Sequence, residues 1–307
     1  MNTNRGCGCK SFRTCVVCET EHGLKPWDWG RQLLDENRKF YDLDLQSGKC
    51  LDSNNRNVAL ENFSGIRIIP NFISQTEEIE LIKNLDLLPW DSSQSGRRKQ
   101  NFGPRANFKK RKVKNGSFHG FPQCTRFIQE RFSSVPLLAG YRPVEQCSIE
   151  YRPQTGAAIE PHIDDCWVWG ERIVQLNLLS DSFLTCVPYR GGTDKYNLAD
   201  VTSYPKLVDS AGSLICDPFT EKLGGSPYEF ENNFTETHCA VKIPLPARSL
   251  LIMYGSARYE WEHGVLREDV MDRRVVLAYR ELTPPYLPGG REETLGSEIL
   301  SNAQLSW

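Results

Sequence analysis

No stretch of this 307-residue chain approaches the ~18 consecutive apolar residues of a membrane-spanning helix. Leu250 to Tyr254 and Val275 to Tyr279 are typical of its longest apolar runs. The first thirty residues lack an apolar segment of the secretory type, so a soluble protein of the cell interior, cytoplasmic and nuclear, is expected. Histidine is scarce, with five in all, so any site that uses imidazoles has few candidates. The cysteine count, 11, is odd, which argues against a disulfide framework. No internal repeat occurs, and the average charged fraction of 25% excludes wholesale disorder. The length suits one large domain with an appendage, or two small ones.

The net charge of −2 hides an asymmetry. Between Ser92 and Asn115 stand nine basic residues and no acid, which leaves 28 basic against 39 acidic side chains elsewhere. Phe102 and Phe108 interleave these charges, as in contact loops. The segment reads as a docking loop for a polyanion or an acidic protein surface, or as a solvated loop or localisation signal. At the N-terminus Cys7-x-Cys9-x5-Cys15-x2-Cys18 offers four thiols within twelve residues. Zinc takes four such ligands in a tetrahedron; an iron–sulfur site or reactive free thiols are the alternatives. Bound metal, structural and remote from catalysis, is expected there.

Residues 1–60 read as this cysteine cluster plus an irregular linker, and 61–307 as the main domain. Ile66 to Ile69 reads as a strand. Ser74 to Glu77 is a capping box that opens a helix over 75–88, which Pro89 ends. A short helix is expected over 123–133 and another over 292–303. Period-two patterning starts at Cys147 and resumes in strands 173–179, 240–243, 249–254 and 274–282, with a loop insertion over 185–235. Short strands with turn residues between them point to a sandwich or jelly roll, here buttressed by helices.

His162-Ile163-Asp164 puts an imidazole and a carboxylate on one face of a strand, about 7 Å apart along the chain. A second imidazole from a distant strand would complete a two-histidine, one-carboxylate face that leaves three metal sites open; His263 is the candidate. Eleven residues on, Arg274 and Arg280 share one face of an apolar strand. Buried guanidinium groups need anionic partners. A dicarboxylate bound at the metal would serve, as would structural ion pairs with Glu281 or Asp272.

The order His162-x-Asp164, His263, Arg274-x5-Arg280 resembles the signature of the AlkB-like Fe(II)- and 2-oxoglutarate-dependent dioxygenases. Ser95–Gln100, Tyr141–Cys147, Pro161–Asp165 and Ile243–Ser249, with the N-terminal cysteines, extend the resemblance to nearly the whole chain and narrow it to one branch. It implies an α+β fold whose double-stranded β-helix, a jelly roll, holds iron at its mouth. By that resemblance His162, Asp164 and His263 bind Fe(II), and Arg274 pairs with the distal carboxylate of 2-oxoglutarate. Arg280 lies nearer its metal-binding end, and Tyr151 also contacts it. O2 is the further co-substrate, and an N-methyl group leaves as formaldehyde. The basic loop 92–115 falls where the family carries its recognition lid, with Arg97, Arg98 and Lys99 as substrate-binding candidates. Nucleobase-repair members carry a base-reading acid four residues after the first histidine; here that position is Cys166. Members of the branch are described as demethylating monomethyl-lysine of actin, so regulating actomyosin. That substrate is expected first and 6-methyladenine in DNA second. A non-catalytic binding module that uses the basic loop is the reading of another class.

Overall fold

The computed structural model describes residues 7–10, 12–60, 63–219, 226–230 and 238–307. Two seven-stranded sheets dominate the described residues. The first runs Ile159–His162, Trp261–Val265, Ser182–Pro188, Cys239–Leu245, Lys39–Leu43, Cys50–Leu51 and Asn57–Val58. The second runs Ile66–Ile69, Leu250–Met253, Trp169–Leu178, Arg274–Leu282, Glu145–Tyr151, Arg98–Phe102 and Asp91–Ser92. The two sheets are the walls of a double-stranded β-helix, the expected jelly roll.

The strands follow from their residues. Trp169–Leu178 and Arg274–Leu282 are rich in Val, Leu and Ile and lie mid-sheet, where both faces are covered. Val174, Leu176, Leu178, Val275, Leu277 and Tyr279 point outward, into a core shared with the helices. Tyr151 and Val276 of the second sheet meet Cys186, Val241, Ile243 and Trp261 of the first in the core between the sheets. Helix Gln75–Asp86 opens with the capping box: the Glu77 N–H donates to Ser74 Oγ (3.2 Å) and the Ser74 N–H to Glu77 Oε2 (2.7 Å). Its Leu81, Ile82 and Leu85 pack with Phe132 on the outer face of the second sheet. Helix Glu293–Ala303 buries Gly296, Ile299 and Ala303, one stripe of its surface. No helix among the described residues is long and apolar enough to cross a membrane.

Four expectations change. The segment expected as irregular linker supplies three strands, and Lys39–Leu43 runs parallel to Cys239–Leu245, from Lys39↔Cys239 to Asp42↔Lys242. Its pattern is too short and polar to announce a strand, and pairing with a distant apolar neighbour decides it. The basic stretch is not a plain loop. Arg98–Phe102 joins the second sheet, and Arg105–Asn107 pairs with Lys112–Lys114 in a hairpin. The short helix expected over 123–133 is an α-helix at Arg126–Arg131 flanked by 3-10 turns. Of the expected loop insertion, 220–225 and 231–237 lie outside the described residues. The rest contains strand Ser182–Pro188 and a kinked 3-10 segment, Lys195–Ser203.

Arg172, fully buried, is held by Glu281 through Nε (3.0 Å) and Nη2 (2.7 Å) and by the carbonyls of Leu137 and Ala139. This clamp ties the central strands to the helical layer. Glu281→Gln should cost about 3–5 kcal/mol of unfolding free energy, because it leaves a buried guanidinium without its counter-charge; chemical denaturation of the full chain measures it.

Candidate active site

Strand Ile159–His162 pairs antiparallel with Trp261–Val265, and His162 stands directly opposite His263. The two rings lie 4.6 Å apart, centroid to centroid. Gly264 permits the approach: a Cβ there would sit 2.7 Å from the Ile159 carbonyl oxygen and 2.8 Å from Pro161 N. Asp164, just past the strand end, brings its Oδ1 to 3.9 Å from His162 Nε2. The two imidazoles and the carboxylate that sequence reasoning singled out are therefore neighbours.

Their protonation follows from their partners. His162 Nδ1 lies 2.8 Å from the Glu160 carbonyl oxygen, which can only accept, so Nδ1 carries the proton and Nε2 keeps its lone pair. Burial lowers the His162 pKa; burial together with the adjacent His162 pushes His263 down to about 3. Both rings are neutral near pH 7. Burial would raise the Asp164 carboxyl, but Arg280, helped by the two histidines and Arg258, holds it below the usual carboxylate range. Arg280 grips Asp164 with Nε and Nη2, each at 3.0 Å, and gives Nη1 to Glu145 at 2.6 Å. Two neutral imidazoles and a carboxylate are a donor set for a divalent cation.

Arg274 is placed differently. It is 1% exposed, opposite Tyr151 in the strand register, with its guanidinium carbon 5.0 Å from that ring's centroid. Its Nε donates to Asn177 Oδ1 at 2.6 Å, whereas Nη1 and Nη2 are buried without a hydrogen-bond partner among the described residues. Burial lowers its pKa. The structural alternative holds for Arg280, which pairs with Glu145 and Asp164; Glu281 is no partner to either arginine and belongs to Arg172.

A cavity of about 660 Å³ opens on His162 and Asp164 of the triad. His162, Asp164, Arg280 and Trp169 line its floor, and Arg97, Phe108, Tyr196 and Glu262 line its sides. Phe12, Arg13, Trp27 and Trp29 complete the wall. Of the three expected substrate residues, Arg97 lines this cavity and Lys99 lines the adjoining one with Phe102, Phe108 and His119. Arg98 is taken by Glu150, with Nε at 2.5 Å and Nη2 at 2.9 Å, and so serves the sheet. Cys166 is fully buried, its thiol 3.6 Å from Arg258 Nη1, and Arg258 also donates to the carbonyls of Asp164 (2.9 Å) and Trp169 (3.0 Å).

No family model matches the chain. Curated relatives do. It is 39% identical over 300 residues to the human alpha-ketoglutarate-dependent dioxygenase alkB homolog 4, covering 96% of this chain and 92% of that protein. Its mouse counterpart is 36% identical, with 97% and 93% covered. A Caenorhabditis elegans protein named DNA N6-methyl adenine demethylase is 30% identical, with 97% and 94% covered. The chain belongs to the AlkB family of alpha-ketoglutarate-dependent dioxygenases. The solved structure of OsALKBH1 is similar at 11% identity and a TM-score of 0.44, over 71% of this chain and 97% of that one.

The residues of this AlkB-family chain fit the co-substrate and metal on the atoms left unsatisfied. The two idle Nη groups of Arg274 are a fork for a carboxylate, and the buried His263 Nδ1 also lacks a partner among the described residues. Sequence reasoning missed the N-terminal wall. The paired tryptophans of Trp27-Asp28-Trp29, in a polar stretch beside the cysteines, were the available signal. The cysteine cluster, expected to be remote from catalysis, is not: residues between and just after its ligands line the cavity.

Two predictions follow from this electrostatics. Arg274→Met should weaken 2-oxoglutarate binding by roughly a hundredfold, the loss of a pair of charge-assisted hydrogen bonds, as read by anaerobic titration. His263, at about 3 rather than 6.5, stays neutral where the unfolded chain takes up a proton. The metal-free protein should therefore lose stability as pH falls from about 6.5 toward about 3. Asp164, held below its ordinary 3.8, acts in the same direction at the acid end. His263→Gln should flatten the slope between pH 6.5 and 4 in urea titrations at stepped pH.

Proposed function

We propose that this chain is an Fe(II)- and 2-oxoglutarate-dependent oxidative demethylase, and that its substrate is a methylated lysine on a protein, actin first. The observation that carries the reading is the idle guanidinium of Arg274 together with two neutral imidazoles paired across neighbouring strands beside an aspartate, with His162 and Asp164 facing the cavity. His162, Asp164 and His263 would hold the iron. Arg274, steadied by Asn177 and the Tyr151 ring, would take the distal carboxylate of 2-oxoglutarate. Arg280 keeps Asp164 ionised and fixes its carboxylate plane. When bound, iron with 2-oxoglutarate and O2 would supply hydroxylation of a methyl C–H bond, with succinate and carbon dioxide released. The hydroxymethylamine left on the substrate falls apart to formaldehyde and free amine.

Lysine is favoured by what lines the cavity. Its charged groups are largely paired among themselves: Arg13 with Glu160 at 2.8 Å, Lys195 with Glu262 at 3.0 Å, and Arg280 with Asp164. The faces left to meet a ligand are aromatic: Phe12, Trp27, Phe108 and Tyr196. Aromatic faces attract a methylated ammonium. The buried thiol of Cys166 supplies no base-reading carboxylate. Outside the cavity, the exposed Lys109, Lys110 and Lys112 suit an acidic protein surface such as actin. The alternative substrate, 6-methyladenine in DNA, is favoured by the nematode relative's name and by the same basic hairpin, which suits phosphates.

A side-by-side assay tests the choice. Monomethyl-lysine actin and a 6-methyladenine oligonucleotide are offered to the full chain, and formaldehyde and succinate are quantified. Release from actin, lost in His162→Ala and Asp164→Ala, is expected. Release from the oligonucleotide alone overturns lysine, and turnover that persists in both variants overturns the iron site.

A further inference from the structure

The thiol sulfurs of Cys7, Cys9, Cys15 and Cys18 all lie within 4.8 Å of one another. Cys7 and Cys18 are 3.4 Å apart and Cys15 and Cys18 are 3.8 Å apart. Four thiolates about 2.3 Å from a tetrahedral zinc are roughly 3.8 Å from each other, so the cluster already has that spacing. Cys9, Cys15 and Cys18 are buried, and the partly buried hydrophobics packed against them among the described residues are Cys7, Val17 and Leu24. The sulfurs themselves are the centre of this small unit, which is how metal-nucleated segments are built.

The unit is pinned to both strands that carry the imidazoles. Arg13, between the second and third cysteines, donates Nε to Glu160 at 2.8 Å, two residues before His162. On the other side Arg267, four residues after His263, grips Glu19 through Nη1 (3.0 Å) and Nη2 (2.6 Å) and donates to the Thr14 carbonyl at 3.3 Å. Gly8 lies against the backbone of Ser93, where a Cβ would sit 2.6 Å from the carbonyl oxygen; that segment leads to Arg97. Phe12 packs on Trp27 at 4.8 Å and Trp27 edge-on to Trp29 at 6.2 Å. The Trp27 backbone N–H donates to Thr14 Oγ1 at 2.9 Å. Phe12 stays 52% exposed at the cavity wall.

We propose that the four cysteines bind one Zn(II), and that this zinc positions the Phe12–Trp27 wall of the catalytic cavity and so governs capture of the methylated substrate. The thiols give their protons to solvent as zinc enters. The unit reaches the imidazole strands through the side-chain pairs Arg13–Glu160 and Arg267–Glu19, while the pairing of those strands with each other holds the iron ligands and the 2-oxoglutarate arginine lies on the other sheet. The zinc therefore acts on substrate binding and leaves the co-substrate site alone. The substrate-capture part rests on the demethylase reading; zinc content and hydrogen exchange do not.

The test compares the full-length chain with Cys15→Ser/Cys18→Ser. Elemental analysis should find one zinc per wild-type chain, beyond any added iron, and none in the variant. Hydrogen exchange in the variant should rise over 12–29, 93–97 and 157–160 and stay unchanged over 261–265 and 274–282. Succinate release without methylated substrate should hold, while KM for methylated substrate rises about tenfold, the scale of a lost aromatic–cation contact. Phe12→Ala, with the thiols intact, should keep its zinc and show the same KM rise. Wild-type protein without zinc overturns the proposal, and so does a zinc-free variant with unchanged exchange and KM. A variant that loses protection over 274–282 together with succinate release also overturns it, since zinc would then serve the whole fold. If wild type releases no formaldehyde from any methylated substrate, the demethylase reading fails, and zinc content with exchange decides the positioning role.

Discussion

One cross-strand pair organises this molecule: His162 opposite His263, in a register that Gly264 permits. Moved by one residue, the pairing would turn one ring to the other face of its strand, and Asp164 would lose the neighbour that makes it half of a metal site. The register also fixes what each imidazole can do. The Glu160 carbonyl takes the Nδ1 proton of His162, and burial keeps His263 neutral. Geometry and protonation state thus come from the same backbone contact.

The second sheet and the short helix Gly255–Tyr259 bring the cations. Arg172, Arg258, Arg274 and Arg280 are all buried or nearly so, yet they differ in what satisfies them. Arg172 has Glu281, Arg258 has a set of carbonyls around the Asp164–Gly170 turn, and Arg280 divides itself between Asp164 and Glu145. Only Arg274 among these is left with two buried N–H groups idle. A guanidinium that is fully bonded holds structure, whereas one half-bonded in a dry site is held ready for an anion. That difference, and not the count of arginines, is what singles out Arg274 for the co-substrate on the proposed reading.

This explains what could be read from sequence. The His-x-Asp spacing and the arginines at i and i+6 are periodic features of single strands, so their faces follow from the pleat. Ser74 and Glu77 declare their helix because a capping box is local chemistry. The fate of Arg98 is not local: its Glu150 partner stands 52 residues away. Strand Lys39–Leu43 is hidden for the same reason, since its apolar neighbour is Cys239–Leu245, brought beside it only by the closed fold. The N-terminal wall of the site is the extreme case. Its contacts to Glu160 and Arg267 span 147 and 248 residues, and nothing in residues 7–29 alone announces them.

The same distances bear on how the enzyme would select its substrate. The strands supply the floor of the cavity, and ion pairs hold many of its charged groups: Arg280 with Asp164, Arg13 with Glu160 and Lys195 with Glu262. Recognition then falls to surfaces that are neither charged nor part of the sheets: Phe12 and Trp27 on one side, Phe108 and Tyr196 on the other. Tyr196 is fixed by its hydroxyl on Glu262 at 2.6 Å, next to His263, so that ring is rigid with the metal site. Phe12 packs on Trp27, within the segment that the cysteines gather. On the proposed reading, one jaw of the cavity is tied to the strand of His263 through Glu262 and the other to the N-terminal segment, so the second can change while the first stays with the iron ligands. In such an arrangement affinity for the methylated group and competence for the oxidation are set by different parts of the chain.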